Sequence, residues 1–245
     1  MSEANAVEYR HVRMDYGEKT IIRDFSLAVK KGEFVTIIGS SGCGKTTVLK
    51  MANALVTPVA GEALIDGKNV RDLDLIALRR NIGYAIQGSV LFPHMTVEKN
   101  IAFVPNLLNK SDKKRTEQAV RKWLKIVGLD ENILSRYPGQ LSGGQQQRVG
   151  IARALAASPD LLLMDEPFGA VDEITRASLQ DEIIRIYRET GITILFVTHD
   201  INEALKLGTK ILVMNHGDLI QYASPEEIKT RPADDFVKTL LARAV

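Results

Sequence analysis

The sequence predicts an α/β fold with a mainly parallel sheet, an antiparallel β edge subdomain and an inserted helical subdomain. Three observations carry that prediction. Short apolar runs rich in β-branched residues alternate with helical stretches, the signature of a parallel sheet covered by helices on both faces. Two stretches near the N-terminus alternate apolar and polar residues instead, as half-buried antiparallel strands do. A long helical pattern then interrupts the strand–helix order.

In chain order, 7–13 and 21–29 are the edge strands. Phe34 to Ile38 is a continuous β-branched run, as a buried parallel strand requires. It ends at Gly39, and a helix is expected from about Thr46 to Ala54. Short strands are expected at 62–66 and 82–85. From about Thr96 to Arg136 the pattern is helical, with Val120, Trp123, Leu124 and Val127 on one face. A helical subdomain is therefore placed at about 88–140. There follow a strand at 161–164, a helix at 175–189, a strand at 193–198, a helix at 201–206 and strands at 210–215 and 218–222. Pro225 and Pro232 are each expected to open a short final helix. The whole chain, 1–245, reads as one domain with no C-terminal regulatory domain.

Composition sets the outer limits. Apolar residues make up 45% and charged residues 25%, with a net charge of +2. This is an ordinary globular balance, without the basic field of a nucleic-acid binder. One cysteine, Cys43, cannot form an intrachain disulfide, and a reducing compartment is the simplest reading. Met1 to Arg10 has no apolar run of the signal-peptide kind. No apolar run approaches the ~20 residues of a membrane helix, so any link to a membrane must pass through a partner.

Gly39, Ser40, Ser41, Gly42, Cys43, Gly44, Lys45 and Thr46 match G-x-x-x-x-G-K-[ST] between a buried strand and a helix. This predicts a P-loop NTPase core. The glycines let backbone N–H groups wrap phosphates, and the helix N-terminus adds partial positive charge. Lys45 reaches the β- and γ-phosphates, and the Thr46 hydroxyl ligates Mg²⁺. Cys43 reads as a small residue that fits a tight loop. Leu161 to Met164 is an apolar strand ending in Asp165 and Glu166. Asp165 suits Mg²⁺, and Glu166 suits a base that orients and deprotonates the attacking water. His199 follows another buried strand, at the edge where parallel sheets hold ligands, and is a candidate γ-phosphate sensor.

Leu141, Ser142, Gly143, Gly144, Gln145, Gln146, Gln147 and Arg148 resemble the signature motif of ABC-type ATPases. The rest of the chain is similar to that family in the same motif order. Tyr16 matches the aromatic that stacks on adenine, and Gln87 the glutamine of the Q-loop. Phe168, Gly169, Ala170, Val171 and Asp172 match the D-loop, and His199 the switch histidine. The resemblance implies ATP and Mg²⁺ as cofactors. It implies catalytic roles for Glu166, His199, Lys45 and Gln87, and metal contacts from Thr46, Gln87 and Asp165. Nucleotide contacts are implied for Tyr16, for 39–47 including Thr47, and for Ser142, Gly143, Gly144 and Gln145. The signature opens a helix whose N-terminus suits an anion, but the helical insert carries it away from its own cradle. In the family it meets the γ-phosphate held by the opposite subunit, giving a head-to-tail ATP-bridged homodimer or an equivalent ATPase pair. Val171 stands where Leu is usual. Glu173 stands where Pro is common, a change expected to loosen the start of the next helix.

Gly83 to Gln87, Leu91 to His94, Asn100 to Pro105 and Arg231 to Lys238 resemble the ATPases of osmoprotectant importers, which take up glycine betaine, carnitine or choline. Importers of amino acids or polyamines are the alternative. The resemblance implies membrane permease subunits as partners, a substrate-binding protein indirectly, and a place on the cytoplasmic face of the membrane. Val90, Leu91 and Phe92 fit either a permease contact or packing inside the helical subdomain. A DNA-repair ATPase would carry coiled-coil or DNA-binding insertions, and a translation factor of this superfamily two ATPase halves. Neither pattern is present in the sequence.

Overall fold

A computed structural model describes residues 4–86, 91–110, 112–169 and 172–244. The strands are β1 (Asn5–Tyr16), β2 (Lys19–Lys30), β3 (Phe34–Gly39), β4 (Ala60–Ile65), β5 (Lys68–Asn69), β6 (Ile82–Ala85), β7 (Leu161–Asp165), β8 (Thr193–Val197), β9 (Lys210–Asn215) and β10 (Asp218–Ala223). The helices are α1 (Lys45–Ala52), α2 (Leu75–Arg80), α3 (Val97–Ile101), α4 (Phe103–Asn109), α5 (Lys113–Ile126), α6 (Gly143–Leu155), α7 (Glu173–Thr190), α8 (Ile201–Leu207), α9 (Pro225–Thr230) and α10 (Asp235–Leu241). The chain divides into two compact units, one of 1–78 with 191–245 and one of 79–190.

In the first unit, β2, β1, β4 and β5 form an antiparallel sheet in that order. β1 and β2 are longer than the expected edge strands. Register shifts in their pairing, such as that between Tyr9 and Val12, explain why the alternation is only loose. Each bulge inserts an unpaired residue and breaks the period of two. β3 runs parallel to β8 on one side and to β9 on the other, and β10 closes antiparallel on β9. β3 and β8 are buried nearly end to end, as a strand covered on both faces must be. Phe34 and Phe196 pack with ring centroids 6.1 Å apart in this core.

In the second unit, β6 and β7 pair in parallel. The expected helical stretch is broken into α3, α4 and α5. Lys110 ends α4 with φ 50°, and Asp112 caps α5 by accepting from Arg115 N at 3.0 Å. Val120, Trp123, Leu124 and Val127 are all buried, as the helical period predicts. Asn100 is fully buried, its side chain donating to the carbonyls of Phe92, Met95 and Thr96 and accepting from Phe92 N. It thereby holds the 92–96 loop. Leu91 is only 6% exposed, so its side chain is already covered in the folded chain. Val90 lies outside the described residues.

One expectation changes. Pro232 does not open a helix: α10 begins at Asp235, and Asp234 caps it by accepting from Val237 N at 2.9 Å. A carboxylate that satisfies a free N–H outweighs the preference for proline at a helix start. Glu173 opens α7, and Asp172 before it supplies a cap, accepting from Thr175 N at 2.9 Å.

Candidate functional site

The glycine-rich loop that matches the phosphate-binding motif lies in the first unit, between β3 and α1. Gly39 admits no side chain: a Cβ there would stand 1.9 Å from the Met214 carbonyl oxygen. Gly44 precedes α1 at φ 103°, a conformation only glycine adopts readily. The loop is tied down at Ser40, whose hydroxyl donates to Asn215 Oδ1 at 2.9 Å. α1 is tied down in turn by Tyr9, whose buried hydroxyl donates to the Val48 carbonyl at 2.7 Å.

Lys45 folds back over the loop. Its ammonium donates to the carbonyls of Gly39 and Ser40, each at 3.0 Å, and the residue is 8% exposed. A compact cation with three donors is thus held over backbone carbonyls, ready to exchange them for an anion. Ser41 and Gly42 are exposed at the rim, while Cys43 and Thr47 are buried. Cys43 packs beneath the loop, matching its reading as a small residue in a tight turn. Thr46 is half-buried in the first turn of α1. Tyr16 ends β1 at a hairpin tip and is exposed. His199, in the same unit, is exposed just past the buried end of β8.

The carboxylates lie in the second unit. Asp165 is the last residue of β7, after four buried apolar residues. Its negative charge, acting after burial, helps push the phenol of Tyr84 up to about 12. Glu166 has φ 44°, a left-handed conformation rare for a residue with a Cβ. Its carbonyl accepts from Gly169 N at 3.2 Å in the tight turn after the strand. Such strain gathers at functional sites, where the surroundings enforce a particular aim of the side chain.

The signature residues open α6 in the same unit. Ser142 Oγ accepts from Gln145 N at 3.3 Å, and Gln145 Oε1 accepts from Ser142 N at 3.0 Å. This reciprocal cap pre-forms the helix start. The Gln145 side chain is engaged in that cap. Ser142 and Gly143 are exposed, and a Cβ on Gly143 would meet nothing. Gly144 has no such room: a Cβ would stand 2.7 Å from Thr175 Cγ2 at the start of α7. Gln87 and Val171 lie outside the described residues.

Several supporting residues escaped the sequence reading: Asn215, Thr175, Tyr84, and Thr198 with Glu203. Only the S-x-x-Q spacing of 142–145 carried a local signal, that of a helix cap.

A family model described as "ABC transporter" matches residues 22–169. The carnitine transport ATP-binding protein OpuCA of Listeria monocytogenes is 49% identical over 97% of this chain. The glycine betaine uptake system ATP-binding protein YehX of Escherichia coli is 48% identical, also over 97% of this chain and 77% of its own length. This chain spans 60% of the Listeria protein. Among solved structures, the cassette MJ0796, a dimer in a post-hydrolysis state bound to ADP and Pi, is 35% identical. It has a TM-score of 0.78 over 89% of this chain and 98% of its own. CbiO1 from Clostridium perfringens, part of a cbiONQ transporter complex, is 26% identical with a TM-score of 0.85, over 98% of this chain and 96% of its own.

Proposed function

From the premise that this chain belongs to the ABC transporter family, we propose that it is the ATP-hydrolysing subunit of an importer for an osmoprotectant such as glycine betaine, carnitine or choline. The observation that carries the reading is Lys45, held at 3.0 Å over two carbonyls of a loop whose first glycine, Gly39, has no room for a side chain. Such a cradle has one obvious use, the binding of a polyphosphate.

The loop N–H groups and Lys45 hold the β- and γ-phosphates, and Tyr16 stacks on adenine. Mg²⁺ fits the donors present. The Thr46 hydroxyl and the Asp165 carboxylate are hard oxygen donors, the kind Mg²⁺ takes beside substrate phosphates. When bound, it neutralises charge between the phosphates. Glu166 takes a proton from the attacking water, and His199 and Lys45 stabilise charge as it develops on the γ-phosphate. Gln87 is assigned to orient water and metal.

The exposed, pre-capped N-terminus of α6 supports the second half of the reading. Two copies pair head to tail, each offering Ser142, Gly143, Gly144 and Gln145 to the nucleotide of the other. No helix among the described residues is long and apolar enough to cross a membrane. We therefore assign the membrane step to separate permease subunits, with this chain bound at their cytoplasmic face. The stretch 88–140 is the helical subdomain that meets them, and the exposed Phe103, Leu107 and Leu108 offer apolar surface for the contact. The relatives named for carnitine and glycine betaine transport support the substrate class.

Uptake of labelled glycine betaine at high osmolarity tests the reading, in cells carrying this chain with its neighbouring permease. Uptake that disappears with Lys45→Ala is expected. Uptake that persists with Lys45→Ala would contradict it, as would no uptake of betaine, carnitine or choline.

A further inference from the structure

We infer that Glu203 is a positioning residue for His199, acting through the Thr198 hydroxyl. The inference rests on the reading that His199 meets the γ-phosphate. Glu203 lies on α8 and is 5% exposed, an unusual place for a carboxylate. The helix does not need it there. Asp200 already caps α8, accepting from Asn202 N at 2.8 Å and Glu203 N at 3.3 Å. Around it, Ile201 and Ala204 contribute to an apolar core that a smaller neutral residue would also suit.

The Glu203 side chain is instead directed at the residue before His199. Thr198 Oγ1 donates to Glu203 Oε2 at 2.5 Å, and both residues are buried. The same hydroxyl accepts from Asp200 N at 3.0 Å, from the residue after His199. Thr198 N donates to the Ile37 carbonyl on β3 at 3.1 Å. Both neighbours of His199 are thus fixed, and one hydroxyl joins them. That hydroxyl can accept from Asp200 N only with its proton pointed elsewhere, and Glu203 gives the proton its destination. β3 also runs directly into the phosphate cradle, so the Thr198 amide takes its reference from the strand that carries Gly39. His199 itself is exposed and follows directly on this anchored backbone.

The test measures ATP turnover by the full chain for Glu203→Ala and Glu203→Gln, each alone and combined with His199→Ala. With His199 present, Glu203→Ala is expected to lower kcat by ~10- to 100-fold, the scale of a small misplacement of a reacting group. KM for ATP is expected to stay within about twofold, because the cradle is untouched. Glu203→Gln, which keeps an acceptor for Thr198, is expected to recover most of the rate. In the His199→Ala background, Glu203→Ala is expected to cost less than about twofold, since two residues acting as one unit are not additive. If Glu203→Ala does not fold, Thr198→Val against Thr198→Ser interrogates the same bond from its other end. Equal losses in both backgrounds would overturn the inference, as would full activity of Glu203→Ala. A His199→Ala chain as fast as the natural one would instead sink the assignment of His199, and this inference with it.

Discussion

At Gly39 a single hydrogen atom decides whether the phosphate loop can form. A Cβ would overlap the Met214 carbonyl on β9, a backbone atom that cannot swing aside. Gly39→Ala is therefore expected to lose at least about 1–3 kcal/mol of stability, the usual cost of overpacking. It should also lose nucleotide binding, because relief of the clash moves the carbonyls that hold Lys45. Thermal melting together with titration of a fluorescent ATP analogue checks both. The loop was legible in the sequence because its residues are consecutive and the motif names each one. Its anchor was not: Ser40 and Asn215 are 175 residues apart, and nothing in either neighbourhood marks the pair. The strain at Glu166 was hidden for a different reason, since a positive φ at a glutamate leaves no compositional trace.

At the scale of elements, α6 and α7 depend on one another. Gly144 approaches Thr175 with no room for a methyl group. One turn further on, Arg148 donates to Ser178 Oγ at 2.8 Å and to the Val127 carbonyl at 3.1 Å. Gly144→Ala is expected to slow ATP hydrolysis at least ~10-fold by displacing the signature turn. Thr175→Ala, which by itself removes the side-chain contact to Asp172 but keeps the amide that caps α7, is expected to restore much of that loss in the double variant. Simple addition of the two effects would argue that they do not share one contact. The start of α7 also carries a pH dependence. The Thr175 amide, followed by its side chain, holds the Asp172 carboxyl below the usual carboxylate range. A depressed value in the fold adds stability above the unfolded value of about 3.9, lost as pH falls through the folded value. Asp172→Asn, which still caps, is expected to melt like the natural chain at pH 7 and to show a shallower decline in acid. The same acid slope in both proteins would remove Asp172 from that role.

Element boundaries followed the sequence closely where burial was complete. The strands β3, β7, β8 and β9 have mostly apolar, buried interiors, and each lies within two residues of its expected ends. The helical stretch of 96–136 was legible as helical but not as broken, because its breaks rest on Lys110 at positive φ and on a cap at Asp112. The short β5 and α2 carry too few residues for any period to emerge.

At the scale of the molecule, the proposed ATP-bridged pair makes a prediction of its own. Glu166→Gln keeps every phosphate contact and removes the base, so it is expected to bind MgATP and accumulate as a dimer in sedimentation. A protein that stays monomeric at saturating MgATP would count against the head-to-tail arrangement.

The first measurement to make is phosphate release by the purified chain in MgATP, beside Lys45→Ala. Saturable release that falls by ~100-fold or more in the variant is expected, the scale of removing one electrostatic contact to the transferred phosphate. No release by the natural chain, or equal release by both, would contradict the assignment of the cradle to ATP hydrolysis.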